Sequence, residues 1–252
     1  MPNRATCRKH FHCSGFTVVE LLTVVAMLLV AIAALMPALA KAQRQARTAA
    51  CLSNLRQIHQ GYETYLRQNH DRSFDYDPTY ASLWTHALGP YMAEGSEGWL
   101  CPEADAPSYG WGSARSAWGP FDSRHSTPTW MAFMGAASSS YGFNSWLYSH
   151  PGMRGGRHFR RSDPYHIPVF VDSNWIDGAP ECADVAPTDL NAGAGPNEPE
   201  LGRFCLARHG RSVNIVFVDG HAEQCPLESL WRLRWSSTFM DTSPPANPVP
   251  AN

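Results

Sequence analysis

The chain has 252 residues, a formal net charge of −2, and 44% apolar against 17% charged residues. That suffices for one ordinary globular domain beside a helix, and the near-balanced charge leaves no basic stripe for a nucleic-acid role. Nineteen glycines, twenty prolines and nine tryptophans point to a loop-rich domain rather than a helical bundle. The first predicted element is the apolar run Phe16–Met36, 21 residues in which Glu20 is the only charge. At about 1.5 Å of rise per residue such a helix spans the roughly 30 Å hydrocarbon core of a bilayer. A carboxylate inside it is costly and is kept when the charge has a role.

The stretch Ser14-Gly15-Phe16-Thr17-Val18-Val19-Glu20-Leu21-Leu22, with Pro37 closing the apolar run, resembles the N-terminal signal of type IV prepilins and type II secretion pseudopilins. The resemblance implies cleavage after Gly15 by a prepilin peptidase and N-methylation of Phe16. It also implies that the Glu20 carboxylate meets the terminal amine of a neighbouring subunit as helices stack in a filament, which would offset the burial of both charges. Removing residues 1–15 takes away Arg4, Arg8 and Lys9 and no acid, moving the formal charge from −2 to −5.

Two other readings compete. Ala38-Leu39-Ala40 before Lys41 has the form of a signal-peptidase site, although the apolar run is long for a signal peptide. A plain uncleaved anchor is the second. Arg4, Arg8 and Lys9 precede the span while Lys41, Arg44 and Arg47 follow it, so charge bias leaves orientation open. The resemblance places the N-terminus in the cytoplasm and the head outside the inner membrane, reaching the cell surface once assembled.

Beyond Pro37 the helix is expected to continue to Gln68, with Cys51, Leu55, Ile58, Tyr62 and Tyr65 on one face. This half is amphipathic and suited to lying against a sheet. The fold class is then α+β and pilin-like: a long helix, membrane-spanning in its first half, packed on a small antiparallel sheet. The expected division is a leader at 1–15, an assembly helix at 16–40, its amphipathic continuation at 41–70, a head at 71–240 and a disordered tail at 241–252.

Within the head, residues 71–165 read as loops with short helices near 80–92 and 129–135 and a strand near 140–144. Trp99, Trp111, Trp118, Trp130 and Trp146 serve either as core or as a sugar-stacking surface, the core reading being preferred. His166–Asp172 reads as a strand. Residues 177–203 read as a surface excursion whose Asp177, Glu181, Asp184, Asp189, Glu198 and Glu200 offer calcium an alternative, although they lack an Asp-x-Asp-x-Asp-Gly ladder. No cofactor is expected otherwise.

Val213–Val218 alternates as a strand, and Asp219-Gly220 reads as a two-residue hairpin turn returning through His221–Gln224. Leu227–Leu233 then reads as a short helix burying Leu227, Leu230 and Trp231. Nine residues separate His209 from Asp219-Gly220, which resembles the His-x9-Asp-Gly signature of bacterial prepilin-type proteins; Cys51–Ile58, Cys101-Pro102, Ser140–Asn144 and the Asp172 segment carry further likeness. Asp172, His209, Asp219 and His221 are the residues that could ligate metal or act as acid and base, with a structural role for His209, Asp219 and Gly220 preferred. Should the head be exported, Cys51 with Cys101 is the preferred disulfide, tying helix to loop, and Cys182 with Cys205 the next.

These residues support a non-enzymatic pseudopilin-like filament subunit, with prepilin peptidase, other pseudopilins and the membrane as partners. No nucleophile elbow, H-E-x-x-H, P-loop or dinucleotide fingerprint is present. The alternatives are a membrane-anchored or secreted carbohydrate-binding or hydrolytic domain.

Overall fold

Regular structure starts at a capping box. In the computed structural model, which describes residues 17–75, 83–92, 97–121, 137–149, 163–237, 239 and 249, the Glu20 N–H donates to Thr17 Oγ1 at 3.2 Å. In return Glu20 Oε2 accepts the Thr17 N–H at 2.9 Å. Two orphan donors of the first turn are thereby satisfied reciprocally.

Helix α1 runs from Val18 to Gln68 with Pro37 inside it. The chain divides into two compact units, residues up to Gln43 and residues from Arg44. In the first, Val18, Met27 and Val30 are exposed by 73%, 72% and 71% although they lie on different faces of the helix. The helix is therefore apolar all round here, and it is long and apolar enough to cross a membrane.

In the second unit the helix turns amphipathic. Cys51, Leu55, Ile58, Tyr62 and Leu66 are buried at helical spacing, while Tyr65 is only partly covered. The helix ends where His70 and Asp71 take φ of 54° and 61° and the Asp71 N–H donates to Leu66 O at 2.8 Å, a left-handed termination that satisfies a last-turn carbonyl.

The head sheet has five strands: β3 (Tyr141–Asn144), β4 (Pro168–Asp172), β5 (Asp177–Gly178), β6 (Ser212–Phe217) and β7 (Ala222–Pro226), in the order β5-β3-β4-β6-β7. β3, β4, β6 and β7 pair antiparallel, whereas the two-residue β5 pairs parallel to β3. The sheet is thus mixed rather than wholly antiparallel, and the fold class is α+β. A separate pair joins β1 (Ala106–Pro107) to β2 (Ser116–Ala117). Helix α2 (Trp84–Leu88), continued by a 3-10 turn over Gly89–Tyr91, falls in the expected 80–92 stretch; the 129–135 stretch lies outside the described residues.

β4 and β6 are buried on both faces, and each face has its own core. The α1 stripe packs with Tyr141, Phe143, Val169, Phe170 and Val216; a bulge between Pro168 and Phe170 interrupts the β4 register there. On the other face Val171, Val213, Ile215 and Phe217 meet Leu227, Leu230, Trp231 and Trp235. Leu227–Arg232 is a 3-10 helix that buries Leu227, Leu230 and Trp231, the expected residues.

The aromatic head residues are largely core. Trp84 and Trp118 are fully buried, and their indoles donate to Ile176 O and Tyr141 O at 2.8 Å each. Trp99, Trp111 and Trp146 are half-buried, and Trp111 stacks on Trp175 at 3.9 Å; Trp130 lies outside the described residues. A polar tip satisfied by a backbone carbonyl is how a tryptophan is accommodated inside a fold.

Candidate functional site

Four segments of the second unit meet at one buried point. α1 supplies Cys51, the turn after the 3-10 helix Glu97–Trp99 supplies Cys101, the end of β4 supplies Asp172, and the loop before β6 supplies His209. One ligand atom of each, two sulfurs, a carboxylate oxygen and a ring nitrogen, lies within 4.8 Å of the others. Among the described residues this is the group of His, Cys, Asp and Glu side chains that converges.

The Cys51 thiol donates to Asp172 Oδ1 at 3.5 Å and accepts the Tyr141 hydroxyl at 3.3 Å. Cys101 Sγ stands 3.3 Å from His209 Nε2, and Asp172 Oδ2 is also 3.3 Å from that nitrogen. The Asn214 side-chain nitrogen is 3.0 Å from it. Thr48 Oγ1 donates to Arg44 O at 3.1 Å and therefore accepts from His209 Nδ1 at 3.2 Å, which orients the ring with Nε2 toward the cluster.

Asp172 is held from behind. The Asn214 backbone N–H donates to its Oδ2 at 2.7 Å, and Arg208 Nη1 approaches its Oδ1 at 3.3 Å with both side chains fully buried. Arg208 also donates to the carbonyls of Ser113 (2.7 Å), Ser173 (2.9 Å), Ala114 (3.3 Å) and Ser140. A guanidinium paired with a carboxylate and with its remaining N–H groups on carbonyls is how a buried cation is stabilised.

Protonation follows from this geometry. Burial works to raise the Asp172 carboxyl, yet the charges of His209 and Arg208 and the hydrogen bonds it accepts hold it below its ordinary range. Burial works against a charged His209, and Asp172 outweighs it, lifting the imidazole to about 10. For Cys101 burial is likewise overcome, by hydrogen bonds from Cys51 and His209 and by the Arg208 charge, leaving the thiol at about 7. Cys51, dominated by its own burial, is pushed well above the ordinary thiol range.

A Cys–His–Asp relay needs the acid on one ring nitrogen and the sulfur on the other. Here both share Nε2 while Nδ1 goes to Thr48, so the cluster is not built as a relay. No protein-family model, curated protein or solved structure matches the chain.

The expected metal-ligating residues divide. Asp172 and His209 come together, whereas Asp219 and His221 sit at the opposite end of β6. There Asp219 Oδ1 takes the His221 ring at 2.5 Å and its backbone N–H at 3.1 Å. The hairpin loop is also one residue longer than expected. Phe217 N–H donates to His221 O at 3.0 Å around Val218–Gly220, and Gly220 carries φ 89°. That matches a three-residue hairpin with a left-handed glycine rather than a two-residue turn. Asp219 therefore fixes a turn, and His209 does more than fix a loop.

Neither expected disulfide is present. Cys51 and Cys101 are free thiols set beside the Asp172 carboxylate and the His209 ring, and Cys182 is exposed while Cys205 is sealed in the second core. Among the described residues the six calcium candidates do not converge as a group, and four of them accept backbone N–H groups. Asp184 accepts from Glu181 and Leu201, Asp189 from Asn191, and Glu198 from Gly195. Glu200 accepts the Ala179 N–H and pairs with Arg203 at 2.7 Å.

Gly15 and Phe16 lie outside the described residues. Glu20 is described, and its carboxylate closes the capping box. The Thr-x-x-Glu pattern of Thr17 and Glu20 was visible in the sequence as a helix-start signal. Arg208 carried no comparable signal: an arginine beside a histidine looks like a solvated pair until the fold buries it.

Proposed function

We propose that the chain is a pilin-like filament subunit of the pseudopilin kind, anchored by residues 16–40 and processed between Gly15 and Phe16. The supporting observation is the N-terminal part of α1, exposed on every side, with one carboxylate in its first turn. Such a surface needs lipid or other helices of its own kind around it. Glu20 then has two successive partners. In the single subunit it caps its own helix through Thr17, and in the filament it meets the cleaved amine of a neighbour's Phe16.

The test separates these two uses. Glu20→Gln keeps the capping box, since glutamine serves at that position, but removes the charge. Thr17→Ala removes the cap and keeps the charge. Co-expressed with a prepilin peptidase and partner pseudopilins, Glu20→Gln should be cut after Gly15 and inserted, yet be poorly incorporated into filaments, while Thr17→Ala assembles. Intact mass should show a mature chain beginning at a methylated Phe16. A mature chain beginning at Lys41, or equal incorporation of Glu20→Gln and parent, would refute the reading.

A further inference from the structure

We propose that Cys51, Cys101, Asp172 and His209 bind one zinc ion that rivets helix α1 to the sheet of the head.

The donor set comes first. Two sulfurs, an imidazole nitrogen and a carboxylate oxygen are the ligand types of tetrahedral zinc, whereas calcium and magnesium demand oxygens. The spacing comes second. Bonds of about 2.3 Å to sulfur and about 2.0–2.1 Å to nitrogen and oxygen give tetrahedral edges of about 3.5 Å from sulfur and about 3.3 Å between nitrogen and oxygen. The protein shows Cys51 Sγ to Asp172 Oδ1 at 3.5 Å, Cys101 Sγ to His209 Nε2 at 3.3 Å, and His209 Nε2 to Asp172 Oδ2 at 3.3 Å. Three spacings thus match tetrahedral edges, the two at Asp172 through different oxygens, and with all four ligand atoms within 4.8 Å of one another a small contraction onto one carboxylate oxygen completes the site.

The third observation is an overcommitted nitrogen. His209 Nε2 has one position to offer, a proton or a lone pair, yet a sulfur, a carboxylate oxygen and the Asn214 amide all crowd it. Asn214 Oδ1 is buried without a hydrogen-bond partner in the same place. A cation at the centre resolves the crowding of sulfur, carboxylate oxygen and ring nitrogen, each of which then turns a lone pair to it.

The surroundings are those of a supported site. Thr48 receives Nδ1–H, Arg208 and the Asn214 N–H hold Asp172, and the Tyr141 hydroxyl donates to Cys51 Sγ. Such outer partners orient metal ligands. Binding forms two Zn–S bonds, one Zn–N bond and one Zn–O bond. The protons of both thiols and of the imidazolium Nε2 go to solvent, and with Arg208 the buried charges then sum to zero.

The full chain, purified in detergent with a thiol reductant, should retain about one zinc per chain. Cobalt in its place should give tetrahedral visible bands and a thiolate-to-cobalt charge-transfer band in the near ultraviolet. Cys101→Ser and His209→Ala should each lose tight zinc binding. Cys205→Ser, buried in the other core, should keep it. Because the cobalt spectrum is read on the unmodified chain, the test does not depend on any variant folding. A spectrum without thiolate charge transfer, zinc retention unchanged in Cys101→Ser, or a Cys51–Cys101 disulfide in protein taken from its membrane would each overturn the proposal.

Discussion

Arg208→Met is the sharpest probe of the head. It keeps much of the side chain's volume and removes the guanidinium. Asp172, buried and charged, would then keep only the His209 imidazolium as a pairing cation, and the carbonyls of Ser113, Ala114, Ser140 and Ser173 would lose a donor. Removing one partner of a buried ion pair costs about 3–5 kcal/mol, and the orphaned carbonyls add to that. At about 2–4 °C per kcal/mol for a domain of this size, the melting temperature should fall by roughly 6–20 °C. Arg208→Lys keeps the charge but cannot reach four carbonyls from a single ammonium, so it should fall between. The measurement is thermal unfolding of the full chain in detergent, followed by near-ultraviolet circular dichroism. A methionine variant melting within about 2 °C of the parent would show that Arg208 does not hold Asp172.

Two further perturbations test other parts of the head. Phe217→Ala, emptying a site that is 1% exposed in the core opposite the helix, should cost about 3–5 kcal/mol in denaturant unfolding; a change below about 1 kcal/mol would contradict that packing. Burial lifts Asp177 from 3.8 to about 6 against the pull of Arg203. The folded chain therefore binds this proton more tightly than the unfolded one, and stability should decline as pH rises from about 4 to about 6, by about 3 kcal/mol in all. Asp177→Asn should flatten that decline in a pH series of unfolding curves, and equal slopes in variant and parent would refute the assignment.

The helix, its amphipathic face and the β6–β7 hairpin were legible because their periods are local. The side of the sheet each residue faces was not. Alternation groups Val213, Ile215 and Phe217 together, and in the fold they face away from α1 while Val216 meets the helix. Both faces of β6 are apolar, so period two cannot say which of them the helix covers. The site shows the same division. Cys51, Cys101, Asp172 and His209 each stood out, as bridge halves or as ligands, but their meeting depends on strand order, which no local pattern encodes. Glu20 is a different case. Read only as an intermolecular charge, it left unread the capping box that it forms with Thr17 across four residues.

The contact between Thr48 and His209 spans 161 residues, and that between Cys51 and Asp172 spans 121. The helix is synthesised before the sheet, so its buried stripe can meet Phe74 long before Phe170 and Val216 of β4 and β6 exist. Loops of that length close slowly. The head is therefore a late-assembling structure: the cover over Leu55, Ile58 and Tyr62 is complete only when β4 and β6 have been made. A chain stalled before β6 presents that stripe incompletely covered, which makes incomplete molecules the natural substrates of quality control.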